Sequence, residues 1–133
     1  MAETLAKYCD FFSIGTNDLT QYIMAADRGN KDVAYLYKTY DPAVLRAIRH
    51  IIKAGKKEDI PVGMCGEAAA DPMLIPLLLS FGLDEFSVAP SSVLKTRKEI
   101  NRWNIEDADK VTEKVMELET ANKVSEYLKE AVK

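Results

Sequence analysis

Residues 62–88, VGMCGEAAADPMLIPLLLSFGLDEFSV, hold two brief apolar runs separated by a longer apolar segment. Val62 to Met64 and Phe86 to Val88 have the length and composition of buried strands. Between them, Asp71 and Pro72 have the form of an N-cap followed by a first-turn proline, and Gly82 can close what they open. That segment reads as a helix. Toward the amino terminus, Phe11 to Ile14 is a third strand-like run. Val44, Leu45, Ile48, Ile51 and Ile52 recur at i, i+1, i+4, i+7 and i+8, one face of a helix that Asp41-Pro42 starts and Gly55 is placed to end. Pro90-Ser91-Ser92 introduces a helix through about Ile100. Beyond Trp103, Val111, Val115 and Leu118 line one more helix and Val124, Tyr127, Leu128 and Ala131 line the last, with Lys and Glu outside.

Strand and helix alternating three times predict an α/β chain with parallel strands joined by crossovers. Ligands of such units gather at the carboxyl ends of the strands. Polar residues cluster there: Thr16, Asn17 and Asp18 after the first strand, Cys65 and Glu67 after the second, Ser91 and Ser92 after the third. Three βα units are less than half of an eight-stranded barrel, and a three-stranded parallel sheet has open edges. Met1 to Tyr8 reads as the tail of a helix whose own strand is absent. The chain is therefore expected to be a truncated piece, or one completed by a partner.

At 133 residues, 47% hydrophobic and 29% charged, the composition is that of one soluble globular domain. Eighteen Lys+Arg against 21 Asp+Glu leave a net charge of −3, so nothing marks a nucleic-acid or anionic-membrane surface. Two cysteines make no disulfide framework, and one histidine, His50, makes no His-rich zinc site. No run approaches the ~18 apolar residues of a membrane span, and no basic-then-apolar leader opens the chain. A reducing cytoplasm is the expected compartment.

Two stretches carry residue types suited to chemistry. In GTNDLTQYIMAADRGN, residues 15–30, Gly15 lets a ligand approach the backbone and Asn17 offers both a donor and an acceptor. Asp18 supplies the hard carboxylate oxygen that Mg²⁺ prefers, and Arg28 can grip a phosphate or carboxylate. On residue type alone, Asn17 and Asp18 serve equally well as caps of the following helix. In GMCGEAAAD, residues 63–71, Gly63 and Gly66 flank Met64-Cys65 in a tight turn that exposes a thiol. That thiol is a nucleophile, metal ligand or proton donor, or else a small buried hydrophobe. Cys9 takes the buried reading, and Glu67 is placed to orient the turn first of all, or to cap the next helix or touch a ligand. His50 reads as solvated; Trp103, Tyr35, Tyr37 and Tyr40 read as packing; Asp84-Glu85 falls at the rim opposite to the chemistry.

The stretch FFSIGTNDLTQYIMAADRGN, followed by GMCGEAAADPMLIPLLLSFGLDEFSVAPSS, resembles the C-terminal region of Enzyme I, the phosphoenolpyruvate–protein phosphotransferase of the bacterial sugar phosphotransferase system. The likeness runs from about residue 2 to residue 104 and more loosely to the end. It implies the last βα units of a TIM (β/α)₈ barrel, a partial barrel, over residues 1–104, with C-terminal helices over 105–133 in a single domain. It also implies that Asn17 hydrogen-bonds phosphoenolpyruvate, Gly15 allows its approach, Arg28 holds its phosphate and Asp18 is one of two Mg²⁺ carboxylates. Cys65 would protonate the methylene carbon of enolpyruvate once the phosphoryl group has left. The second carboxylate, further arginines and the phospho-accepting histidine lie earlier in that family's chain, so these residues alone are expected to be inactive. Expected partners are the remainder of the phosphotransferase, its phosphocarrier protein and, that family dimerising through this region, a second copy. Pyruvate phosphate dikinase and phosphoenolpyruvate synthase share the Gly-Thr/Ser-Asn-Asp-Leu-Thr core and the Cys-Gly turn. A fragment of one of those enzymes, or a non-catalytic dimerisation or partner-binding module, is the alternative reading.

Overall fold

The computed structural model describes residues 1–133. Three parallel strands, β1 (Phe12–Gly15), β2 (Val62–Cys65) and β3 (Glu85–Ser87), form an open sheet in the order β1-β2-β3. Seven helices surround one face: α1 (Ala2–Ala6), α2 (Thr16–Met24), α3 (Pro42–Lys57), α4 (Ile75–Phe81), α5 (Val93–Ile100), α6 (Ile105–Glu117) and α7 (Ala121–Ala131). This is the α/β architecture expected of a partial barrel.

The two-residue period of a strand divides the sheet. Phe12, Ile14, Val62, Met64 and Phe86 point to the helices, with Val62 and Met64 fully buried. Ser13, Cys65, Glu85 and Ser87 lie on the alternate positions and are exposed. No helix covers that second face.

Helix α3 supplies much of the core because its apolar stripe faces the sheet. Val44, Leu45, Ile48 and Ile52 are each at most 2% exposed, and burying a side chain of this size contributes roughly 1.5–3 kcal/mol. Asp41 caps it by accepting a hydrogen bond from the Ala43 amide at 2.9 Å, and Pro42 occupies the first turn. Gly55 does not end this helix. It lies buried within it, where an added Cβ would strike a Val62 methyl, so it lets the helix approach β2 closely. The stop comes at Asp59, whose φ of 56° allows the Ile60 amide to donate to the Gly55 carbonyl at 3.0 Å.

Helix α4 starts later than Asp71-Pro72 would place it. A helix begun at Pro72 needs an amide hydrogen at position 76, but Pro76 has none and its ring collides with the carbonyl four residues back. Residues 72–74 therefore form a turn held by Asp71, whose carboxylate accepts from the Met73 amide at 2.9 Å. Gly82, at φ 87°, ends the helix as expected. Helices α6 and α7 close the core from the far side through Val111, Val115, Val124 and Leu128. Their N-caps are Asn104 and Thr120, which accept from the amides of Asp107 at 2.8 Å and Lys123 at 3.3 Å.

Asp84 sits at the amino-terminal rim and has a structural task. Its carboxylate accepts from the buried Val62 amide at 2.8 Å and pairs with Lys56 of α3. The Lys56 hydrogen bond, then the Val62 amide, holds its pKa below the ordinary 3.8. A carboxyl depressed in the folded state stabilises fully above its unfolded value, and that contribution fades as pH falls through the folded value. Asp84→Ala is expected to lower stability by about 1–3 kcal/mol at pH 7, because the Val62 amide loses its partner. The deficit should shrink at pH 2. Urea unfolding at both pH values checks this; an equal deficit at each would mean the charge is irrelevant.

Two expectations fail at the surface. Cys9 is exposed rather than buried, in an exposed segment, residues 9–11, that leads into the edge strand β1. Tyr35 is 69% exposed and does not join the core. His50 is exposed as expected and lies 3.4 Å from Glu3 of α1.

Candidate functional site

The strand register assembles the carboxyl rim. Gly15, Cys65 and Ser87 are mutual Cα partners across the three strands. Adjacent strands lie about 4.8 Å apart, so the three span roughly 10 Å, the width of one small molecule.

Strand β1 passes straight into α2. Thr16, 1% exposed, turns its hydroxyl back to donate to the Cys65 carbonyl at 3.0 Å, which locks the first turn of α2 to the end of β2. Gly66 follows with φ 95° and ψ −175°, a conformation reserved for glycine. A Cβ there would strike the Thr16 hydroxyl and come within 3.5 Å of Asn17 Oδ1. The half-buried Asn17 amide thus lies against the turn that follows Cys65. Gly63, by contrast, belongs to the strand and takes no part in the turn. Gly15 also meets no steric demand: an added Cβ would find only Asp18 Oδ2, at 3.9 Å, leaving the space above it open.

Asp18 and Arg28 are both largely exposed and approach each other, guanidinium to carboxylate, at 3.9 Å. The Cys65 thiol is free and exposed at the end of β2, across from Gly15. Glu67 opens a short 3₁₀ turn and is exposed, with no hydrogen bond from its side chain to hold the turn. Gly15, Asn17, Asp18, Arg28 and Cys65 therefore occur around one end of the sheet. His50, on α3, does not join them.

A cleft of about 490 Å³ opens beside β1 with Gly15 and Asp18 at one end, but Leu5, Phe12, Leu19 and Tyr22 make it mainly apolar. Asn17, Arg28 and Cys65 lie outside it, so the rim rather than the cleft gathers the polar groups.

Two of the tyrosines read as packing, Tyr37 and Tyr40, do more than pack. Tyr37 donates its hydroxyl to the Asn17 carbonyl at 3.1 Å, and Tyr40 donates to the Asp71 carboxylate. Burial, then the Asp71 hydrogen bond, raises the Tyr40 pKa above its ordinary 10.0. Nothing local in the sequence marks Tyr37, since its partner is 20 residues away.

A resident divalent cation needs several oxygen ligands. No group of three or more His, Cys, Asp or Glu side chains converges in the chain. Asp18 is one ligand without companions, so these residues do not fit a complete Mg²⁺ site. Nor is any helix long and apolar enough to cross a membrane.

Comparison with known proteins gives the rim a context. Residues 1–105 match the family described as PEP-utilising enzyme, PEP-binding domain. The chain is 53% identical over 129 residues to the phosphoenolpyruvate-protein phosphotransferase of Geobacillus stearothermophilus, covering 97% of this chain and 22% of that protein. It is 49% identical over 133 residues to that of Bacillus subtilis (strain 168), covering 100% of this chain and 23% of that protein. It is 46% identical over 133 residues to that of Staphylococcus carnosus, again 100% and 23%. The chain thus spans less than a quarter of the length of these relatives. With its parallel strands, its rim and a family match across most of its length, the chain belongs to the PEP-utilising enzymes and carries their PEP-binding domain in residues 1–105.

Proposed function

We propose that residues 1–133, as a single domain, form the phosphoenolpyruvate-binding portion of a cytoplasmic phosphoenolpyruvate–protein phosphotransferase. The whole enzyme would move the phosphoryl group of phosphoenolpyruvate to a protein histidine and on to a phosphocarrier protein in sugar uptake. The observation that carries this reading is the rim itself: Gly15 and Cys65 are register partners, and Thr16 binds the Cys65 carbonyl.

On this reading Arg28 grips the phosphate and the Asn17 amide orients the substrate, while the open space above Gly15 admits it. Transfer of the phosphoryl group to the acceptor leaves the enolate of pyruvate; its oxygen lone pair forms the C=O while the C=C electron pair takes the proton of the Cys65 thiol at the methylene carbon. Pyruvate and a thiolate result, and water reprotonates the thiolate. Mg²⁺, when bound, would neutralise charge on the leaving phosphoryl group. Asp18 would supply one of its carboxylates and residues outside these 133 the other.

The test is a chimera: the Geobacillus stearothermophilus relative with its matching 129 residues replaced by those of this chain. It is expected to phosphorylate its phosphocarrier protein from phosphoenolpyruvate. Arg28→Ala or Asp18→Ala should lower kcat/KM at least about 100-fold, the scale of a lost charge-stabilising contact. The isolated 133-residue chain should release no pyruvate. An inert chimera, full activity in both variants, or pyruvate from the isolated chain would each overturn the reading.

A further inference from the structure

Residues 25–41 connect α2 to α3 and carry Arg28, yet their only regular structure is a 3₁₀ turn at Ala34–Leu36. Ordered connections of this length are uncommon unless they serve binding. Two of this one's side-chain bonds are local: Asp27 accepts from the Gly29 amide at 2.8 Å and Asn30 from the Asp32 amide at 2.9 Å. Such bonds shape the loop without saying where it lies.

Two other bonds reach back to α2. The Arg28 amide donates to Gln21 Oε1 at 3.1 Å, and the Tyr37 hydroxyl donates to the Asn17 carbonyl at 3.1 Å. Gln21 stands one helical turn beyond Asn17, at i+4 on the same face. An α-helical carbonyl keeps a second lone pair, so that of Asn17 can accept from Tyr37 without unwinding α2. The bonds grip the loop on both sides of its exposed tip, one at Arg28 itself. At the far end, the Tyr40–Asp71 bond ties the loop to the segment that follows Cys65.

We infer that Gln21 and Tyr37 are positioning residues, which hold the Arg28 loop at a fixed place over the turn that bears Asn17 and Asp18. Neither side chain needs to touch substrate. Without them Arg28 keeps its charge but loses its address, and an exposed guanidinium 3.9 Å from Asp18 has nothing else to fix it. This inference rests on the reading of Arg28 as a phosphate ligand.

The experiment uses two variants of the chimera that remove one oxygen each. Tyr37→Phe keeps the ring, and Gln21→Met keeps the length. Each is expected to raise KM for phosphoenolpyruvate about 3–10-fold, the worth of one net hydrogen bond, with kcat within about twofold. In the 133-residue chain, amide exchange at Arg28 should quicken by a similar factor in Gln21→Met. A purely structural role would instead lower the melting temperature and leave KM of the folded enzyme unchanged. Arg28→Ala, run alongside, separates the two ideas. If it is harmful while both variants leave KM and exchange unaltered, the positioning role is wrong and the site stands. If Arg28→Ala is harmless, the site reading fails and this inference with it.

Discussion

Cys65→Ala in the chimera is expected to cut turnover about 1000-fold while leaving the Kd for phosphoenolpyruvate within about threefold. The asymmetry follows from where the thiol lies. It is exposed on the uncovered face of β2 and makes none of the contacts that hold the core, so its loss leaves the fold intact. On the proposed reading Arg28, not Cys65, grips the anion, so binding should survive as well. Only the proton delivered to the methylene carbon disappears, and a positioned general acid is worth about 10²–10⁴ in rate. Calorimetry beside a pyruvate-release assay separates the two effects. Lost affinity in a folded variant would make Cys65 a binding group, and undiminished turnover would place the acid elsewhere.

The second large effect concerns stability. Gly66→Ala should destabilise the 133-residue chain by about 1.5–4.5 kcal/mol. Two costs combine. The conformation at φ 95° and ψ −175° costs about 1–3 kcal/mol for a residue with a Cβ. That Cβ also collides with the Thr16 hydroxyl, which is 1% exposed and bonded to the Cys65 carbonyl. Displacing the hydroxyl gives up about another 0.5–1.5 kcal/mol. Removing the obstacle in Gly66→Ala/Thr16→Ala should recover the clash but not the backbone cost. Urea unfolding of the three variants decides it; a loss below about 1 kcal/mol in the single variant would show that the turn readily takes another shape.

Most of the architecture was readable because its signals are local. The i, i+4, i+7 stripe of α3, its Asp41-Pro42 start and the apolar runs of the strands each follow from neighbours within a few residues. The strands fall within one residue of their expected positions. Where reading went wrong, a second constraint was competing. Pro76 forbids the start that Asp71-Pro72 announces. Gly55 looks like a stop, but what makes it glycine is Val62, on a different element. Cys9 has the residue type of a core position but precedes a strand at the sheet's edge, where nothing covers it.

The rim residues were named in the sequence from their chemistry and from the family they resemble. What holds them was not. Thr16 and Cys65 are 49 residues apart, and Tyr37 and Asn17 are 20 apart. No periodicity reports such pairs, and a tyrosine that packs reads the same as a tyrosine that fastens a loop. Residue type announces what a side chain can do, whereas its address comes only with the fold.

The two-sided sheet has a consequence for how this protein changes over generations. Met64 is wholly buried against the helices, while Cys65, the next residue, faces open space. Neighbouring codons therefore answer to unrelated demands: one is held by packing volume, the other by whatever the rim must hold. Ser13 and Ser87, on the same open face as Cys65, can change with little tax on folding, whereas a change at Met64 or Val62 falls on the core.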